Sequence, residues 1–138
     1  MTITRRLVVG LLALLVTAGY GTAQDTGAAE KAATEWLAHI DAGRYAESWT
    51  LASTTFRQAV TQEKWQEAAT MARDRVGAFK SRTRTAAMPK SNPQGAPAGE
   101  YVIFQYSAVF EKHATATETV STTRDADGTW RVVGYFVR

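Results

Sequence analysis

The chain of 138 residues is long enough for one domain with a single hydrophobic core. It has 16 basic and 13 acidic residues and a formal net charge of +3 at pH 7. Arg5 and Arg6 precede a stretch without acids that runs to Ala23, so the rest is nearly neutral and no nucleic-acid partner is indicated. The absence of cysteine excludes disulfides, a cysteine-linked lipid anchor, a thiol nucleophile and cysteine-based metal sites.

Residues 1–23 have the pattern of a secretory signal peptide. A basic segment "MTITRR" precedes the apolar run "LVVGLLALLV" and the small residues "TAGYGTA", in which Gly21 and Ala23 occupy the −3 and −1 positions of a cleavage site. The apolar run is shorter than the roughly 18 residues typical of a membrane span. We therefore expect cleavage after Ala23, with Ala18 as the alternative, no stable membrane anchor afterwards, and a periplasmic or secreted domain comprising residues 24–138.

Three helices are predicted in the first half of the mature chain. The first begins near Thr26 and ends before Gly43, because its apolar residues recur every three or four positions. The second covers residues 45–52, and the third follows the N-cap residue Thr61 and ends at Gly77. Each helix brings one tryptophan to a common core: Trp36, Trp49 and Trp65.

After Gly77 the apolar spacing changes from helical to alternating, which predicts four strands. A first strand at 78–88 is followed by a loop at 89–99 that holds all three prolines. The other strands are predicted at 100–113, 114–125 and 127–138, with turns at 113–114 and 125–128. The short links indicate an antiparallel meander. The fold class is therefore α+β, with three N-terminal helices packed on a curved four-stranded antiparallel sheet, in a cone-like arrangement.

The last strand is predicted to turn Trp130, Val132 and Phe136 toward one face, together with Gly134. A glycine in the middle of a strand indicates a bend or a bulge. Pairing of this strand would keep the end of the chain ordered.

The segments "WLAHIDAGRYAESW", "RDRVGAFKSR", "PAGEYVIFQY" and "DGTWRVVGYFVR" together resemble a bacterial family of exported proteins catalogued as domain of unknown function 4019. The resemblance implies export but no activity, because none is assigned to that family. The order of helices and curved sheet is also similar to nuclear-transport-factor-2-like, ketosteroid-isomerase-like and cystatin-like proteins. That fold hosts both binders and enzymes, and it implies an apolar pocket at the open end of the cone.

The sequence contains no recognisable catalytic or metal-binding motif. His39 and His113 lack convergent partners, so we interpret both as surface residues. No catalytic residue, metal or cofactor is predicted.

Basic residues alternate along the first predicted strand, where Lys80, Arg82 and Arg84 share a face, and Arg73 and Arg75 are expected nearby. They indicate either an anion site or a solvated face that protects a sheet edge, and we favour the solvated face. The aromatic residues are mostly expected in the core, although Tyr106 and Trp130 could line a cavity, because their polar groups need partners.

Glu118 occupies an unusual position, because the alternation of its strand places it among core-facing residues such as Ala116 and Val120. A buried carboxylate needs a partner, so we predict an ion pair with Arg82 or Arg84 that fixes the strand register. A ligand-facing carboxylate and a solvent-exposed one are the alternatives. The candidate ligand-binding residues are Arg82, Tyr106, Glu118 and Trp130.

The leading hypothesis for function is a non-catalytic exported domain that binds a small ligand or an envelope protein. One alternative is a ketosteroid-isomerase-like enzyme, in which a pocket carboxylate abstracts a proton. Another is a structural module that assembles with itself through a sheet face.

Overall fold

The computed structural model describes the backbone from residue 21 and the side chains from residue 26, in both cases up to residue 138. The basic and apolar segments of the predicted signal peptide, residues 1–20, lie outside the described residues. Among the helices that are described, none is both long enough and apolar enough to cross a membrane.

The element order is four helices followed by four strands. The helices are α1 (Gly21–Asp41), α2 (Tyr45–Leu51), α3 (Thr54–Ala59) and α4 (Gln62–Val76). The strands are β1 (Phe79–Ser91), β2 (Glu100–Phe110), β3 (His113–Arg124) and β4 (Trp130–Val137). The three predicted helices correspond to α1, α2 and α4.

Helix α3 was not predicted from the sequence. It is six residues long, which is too short to show a periodic apolar stripe. Its N-cap Ser53 accepts a hydrogen bond from the Phe56 backbone N–H at 3.1 Å. The predicted N-cap of α4 is confirmed, since the Thr61 hydroxyl accepts from the Lys64 N–H at 3.3 Å.

The strands form one antiparallel sheet in the order β1-β2-β3-β4, so the predicted meander is confirmed. Strand β1 runs on to Ser91 and includes Pro89, which a strand at the edge of a sheet tolerates. The β2–β3 turn is at Glu111 and Lys112, so the predicted turn at 113–114 is wrong. Its position follows from packing, because Phe110 is buried beside Val76 and the two charged residues after it are exposed.

Strand β4 contains a bulge. Ser121 lies opposite Gly134 while Thr122 lies opposite Val132, so Val133 is an extra residue in β4. The alternation of side chains therefore changes at this point. Tyr135 turns toward the helices and Phe136 is exposed, which corrects the prediction that Phe136 shares a face with Trp130 and Val132.

The helices cover one face of the sheet, and α1 contacts all four strands. Trp36 is buried at the centre, with its ring centroid 5.8 Å from that of Trp65 and 5.3 Å from that of Tyr135. The Trp36 indole N–H donates to the Ser48 carbonyl oxygen at 2.9 Å, and Trp49 packs against the same core. The predicted contribution of the three tryptophans to one core is confirmed.

Gly77 ends α4 with φ +79°, and a Cβ built there would lie 3.1 Å from Glu111 Cβ and from Lys112 Cγ. We expect Gly77→Ala to lower the free energy of unfolding by about 2 kcal/mol or more, because it adds this contact to an unfavourable backbone conformation. Urea unfolding measures the loss.

Gly95→Ala is the matched control, since its φ is +85° and nothing lies within 4 Å of a built Cβ. Equal losses in the two variants would mean that close packing against the β2–β3 turn contributes nothing.

Candidate functional site

Four charged side chains and a tyrosine join the helices to the sheet, and we refer to them as the ionic cluster. They come from five elements: Asp41 of α1, Arg73 of α4, Arg82 of β1, Glu118 of β3 and Tyr135 of β4. Arg82 donates from Nε to Glu118 Oε1 at 2.8 Å, and from Nη1 and Nη2 to Asp41 Oδ2 and Oδ1 at 2.6 and 2.8 Å. Arg82 therefore bridges two carboxylates, one of them bidentately.

The other two members complete the ionic cluster. Arg73 Nη1 lies 3.1 Å from Asp41 Oδ1, and the Tyr135 hydroxyl donates to Glu118 Oε2 at 2.5 Å. Glu118 is completely buried and the Arg73 side chain is only 6% exposed. Two arginines thus balance two carboxylates, as burial of ionised groups requires.

The pKa shifts in the ionic cluster have clear physical causes. Burial alone would lower the pKa of Arg82, but its hydrogen bonds to Asp41 and Glu118 outweigh burial and raise that pKa, so Arg82 stays charged. Burial raises the pKa of the Tyr135 phenol, and the negative charge of Glu118 raises it further. Tyr135 therefore remains a proton donor to Glu118 at neutral pH.

The predicted ion pair between Glu118 and Arg82 is confirmed, and Arg84 pairs with Glu30 at 2.7 Å instead. The prediction of a solvated basic face is wrong for Arg82, whose side chain is 15% exposed. Arg82 and Arg84 do share a face of β1, but it is the face that α1 covers, because the carboxylates of Asp41 and Glu30 reach it.

Sequence reasoning missed Asp41 and Tyr135, and it placed Arg73 near the basic residues of the first strand without predicting its burial or its pair with Asp41. Arg73 had a readable signal, because it lies eight positions after Trp65 and four after Ala69, on the buried stripe of α4. Tyr135 was missed because the bulge in β4 reverses the alternation before it. Asp41 gave no signal, since the end of a helix is an ordinary place for a polar residue.

The other two candidate ligand-binding residues, Tyr106 and Trp130, belong to the core. Tyr106 lies opposite Glu118 in the register, and its buried hydroxyl is beside Thr34 without a hydrogen bond of good geometry. Trp130 lies opposite Arg124, at the far end of β3. None of the four candidate residues lines the polar cleft or the groove between α4 and β4. Their predicted role in ligand binding stays a prediction.

A polar cleft of about 650 Å³ opens beside the ionic cluster, between the ends of α1 and α4 and the β2–β3 turn. Its charged lining residues are Asp41, Arg73, Asp74, Glu111 and Lys112. Arg73 lies 3.1 Å from Asp41 through Nη1, and its guanidinium carbon lies 4.7 Å from the centroid of the Phe110 ring. Its buried Nε and Nη1 make no hydrogen bond of good geometry with a described residue. Acidic and basic groups are mixed in this cleft, so its charges favour no single class of ligand. Among the described side chains, no three potential metal ligands come together.

An apolar groove of about 380 Å³ runs between α4 and β4, and we call it the α4/β4 groove. Its lining includes Met71, which is 67% exposed, and Phe136, which is 57% exposed. The remaining lining residues are mostly small or aromatic: Trp65, Ala68, Ala69, Ala72, Arg75, Tyr135 and Val137. Two of the three large apolar side chains that are exposed in the described part of the chain therefore meet in one groove.

Along this groove, no residue of the range 21–138 pairs with the outward backbone groups of β4. Thr117 and Arg138 exchange both of their N–H···O=C bonds, at 2.7 and 3.0 Å. The alternation of an antiparallel ladder then directs the N–H and C=O groups of Tyr135 and Val137 away from β3. No backbone hydrogen bond joins either residue to another element within residues 21–138.

The rest of the sheet edge is protected. The first half of β4 is closed by the Ser53 N–H, which donates to the Val132 carbonyl oxygen at 2.8 Å. The opposite edge strand, β1, carries bulges at Lys80 and Thr85 and contains Pro89. Bulges, charges and prolines are the usual protection of a sheet edge against further pairing. Within Tyr135–Val137 the end of β4 has no proline and no charged side chain, although Arg138 follows directly. The outward backbone groups of Tyr135 and Val137 are therefore geometrically suited to pair with another strand.

We expect Arg82→Ala to lower the free energy of unfolding by roughly 3–5 kcal/mol, because it leaves buried Glu118 without positive charge. Adding Glu118→Gln to that variant should restore part of the loss. Urea unfolding of both single variants and the double variant gives the coupling.

Arg84→Ala on the same strand is the control for that comparison. Its pair with Glu30 is partly exposed, so the loss should stay below about 1 kcal/mol. Similar losses for Arg82→Ala and Arg84→Ala would refute a special role of the ionic cluster in stability.

The raised pKa of Tyr135 predicts a loss of stability in alkali. In the unfolded chain this tyrosine ionises near its ordinary pKa of 10.0, while in the folded protein it stays protonated. Its contribution is therefore complete below that pH and is lost above it, by up to about 1.4 kcal/mol per pH unit. Tyr135→Phe should be less stable at neutral pH, since it lacks the bond to Glu118, and should show a shallower decline above pH 10. If the free energy of unfolding fell equally steeply above pH 10 in Tyr135→Phe and in the unchanged chain, the raised pKa of Tyr135 would not be the cause of the loss.

No curated protein and no solved structure is detectably similar, so the likeness to nuclear-transport-factor-2-like proteins stays a prediction. A family model described as "Protein of unknown function (DUF4019)" matches residues 32–135. The match includes all five residues of the ionic cluster and most of the α4/β4 groove. The chain therefore belongs to the DUF4019 family, as the four sequence segments implied.

Proposed function

We propose that the chain is a non-catalytic binding domain, exported to the cell envelope or beyond, that binds a protein partner as an extended segment in the α4/β4 groove. The observation that supports this function is the free edge at Tyr135 and Val137 beside the exposed side chains of Met71 and Phe136. The signal-peptide pattern of residues 1–23 supports the location.

The binding mode is strand addition to β4. A partner segment would exchange backbone hydrogen bonds with Tyr135 and Val137, which gives affinity without sequence preference. Specificity comes from the side chains, which alternate along an added strand. On one face they would contact Ala68 and Met71 of α4, and on the other they would lie beside Phe136. Burial of a Met or Phe side chain contributes about 1.5–3 kcal/mol.

The interior of the sheet gives less support to the other functions. The helix-covered face is filled by the aromatic core and by the ionic cluster. Both carboxylate oxygens of Glu118 accept hydrogen bonds from side chains of this chain, and Glu118 lines none of the cavities described above. Proton abstraction of the ketosteroid-isomerase kind would need a carboxylate that reaches a substrate. A small ligand would depend on the polar cleft, whose charges are mixed.

Selection of linear peptides from a random phage-display library on the purified chain tests the proposal. We expect enriched peptides to have alternating apolar residues, and Val137→Pro to weaken their binding at least about tenfold. Proline removes the free N–H of Val137 and leaves the bonds from Phe136 and Arg138 to β3 in place. Urea unfolding checks that this variant is folded.

Met71→Ser is a second test that leaves the backbone unchanged, and it should weaken binding because Met71 lines the groove. Leu51→Ser is its matched control, since Leu51 is 48% exposed but lies on α2 and lines none of the cavities described above. The proposal fails if no peptide is enriched, or if Met71→Ser and Leu51→Ser bind equally well. A dimer that Val137→Pro dissociates would assign the groove to a second copy of the chain and would also overturn it.

A further inference from the structure

The α4/β4 groove continues into a basic end. The continuation has a volume of about 340 Å³ and shares Ala72, Arg75, Phe136 and Val137 with the apolar part. Its lining includes four side chains that carry, or can carry, positive charge: Arg75, Lys112, His113 and Arg138. No acidic residue is among its lining residues in the described part of the chain.

The two walls of the groove run in the same direction. Trp65, near the start of α4, lines the apolar part with Tyr135, while Val76 at the end of α4 lines the basic end with Arg138. A strand beside β4 would therefore pass first along Trp65 and Met71 and then between Arg75 and Arg138, or in the reverse order. The basic end lies at a defined position along any bound segment.

The positive charges at this end are available. Neither Arg75 nor Arg138 takes part in an ion pair with another described residue. The Arg138 guanidinium carbon lies 5.8 Å from the centroid of the exposed Phe136 ring, so it stands directly beside the free edge. Two acids occur nearby, but Asp74 and Glu111 line the polar cleft instead.

We infer that the segment bound in the groove carries a carboxylate where it passes the basic end, held by Arg75 and Arg138. This inference rests on the proposed function. Guanidinium groups bind carboxylates through paired hydrogen bonds, so two of them favour this group over a neutral one. The carboxylate has two possible sources, an Asp or Glu side chain or the C-terminus of the partner. A C-terminal carboxylate requires the segment to run parallel to β4, because the basic end is at the end of β4.

The test uses one peptide from the selection above whose binding Val137→Pro weakens. Three forms are compared by fluorescence anisotropy: the parent peptide with a free C-terminus, its C-terminal amide, and a form with each Asp or Glu replaced by Asn or Gln. We expect one of the two modified forms to bind at least about fivefold more weakly at low salt, and the difference to shrink at high salt. Loss in the amide identifies a terminal carboxylate, and loss in the Asn/Gln form identifies a side chain.

Replacing both arginines of the basic end by glutamate tests the same inference from the side of the domain. The double variant R75E/R138E should bind the parent peptide at least about tenfold more weakly than the unchanged chain. Arg57→Glu is the control, because Arg57 is exposed on α3 and lines none of the cavities described above.

If all three peptide forms bind equally, with binding still sensitive to Val137→Pro, the inference is wrong and the proposed function stands. A peptide set that is insensitive to Val137→Pro refutes the proposed function itself. Equal effects of R75E/R138E and Arg57→Glu would show that only overall charge matters, and would also overturn the inference.

Discussion

The architecture depends on the compensation of one buried carboxylate. Glu118 has no exposed surface and stands in the third strand of the sheet. An ionised carboxylate there is tolerated only when positive charge and hydrogen bonds reach both of its oxygens. Arg82 and Tyr135 provide them. The two terminal nitrogens of Arg82 then donate to the carboxylate of Asp41. The contacts that satisfy Glu118 thus also fix α1 against the sheet.

The bulge at Val133 connects this cluster to the surface of the molecule. One extra residue turns Tyr135 inward, where its hydroxyl reaches Glu118, and by the same alternation turns Phe136 outward. A regular strand would have done the reverse, because side chains alternate along it. The single bulge in β4 therefore produces both the buried hydrogen bond from Tyr135 to Glu118 and the exposed Phe136 at the sheet edge.

The parts of the fold that follow from alternation and helical spacing could be predicted from the sequence. The core tryptophans follow from helical spacing, the meander from alternating segments with short links, and the Glu118–Arg82 pair from the alternation of two strands. The bulge could be suspected from Gly134, but its exact register could not, and so Phe136 was assigned to the wrong face. Asp41 could not be placed either, since its role arises from a contact between a helix end and a distant strand. The α4/β4 groove could not be predicted for a related reason, since a Phe in a strand is usually buried and the sequence does not show that Phe136 is exposed.

The two edges of the sheet make the argument for a binding role. β1 has bulges at Lys80 and Thr85 and contains Pro89, and the start of β4 is closed by Ser53. An unprotected apolar edge favours aggregation, and natural proteins generally protect such edges. Three of the four half-edges obey this rule. At the fourth, no residue in the range 21–138 pairs with the outward backbone groups, and Phe136 is exposed beside them. The proposed partner segment would cover this end of β4, whereas bulges, a proline and the bond from Ser53 protect the other half-edges.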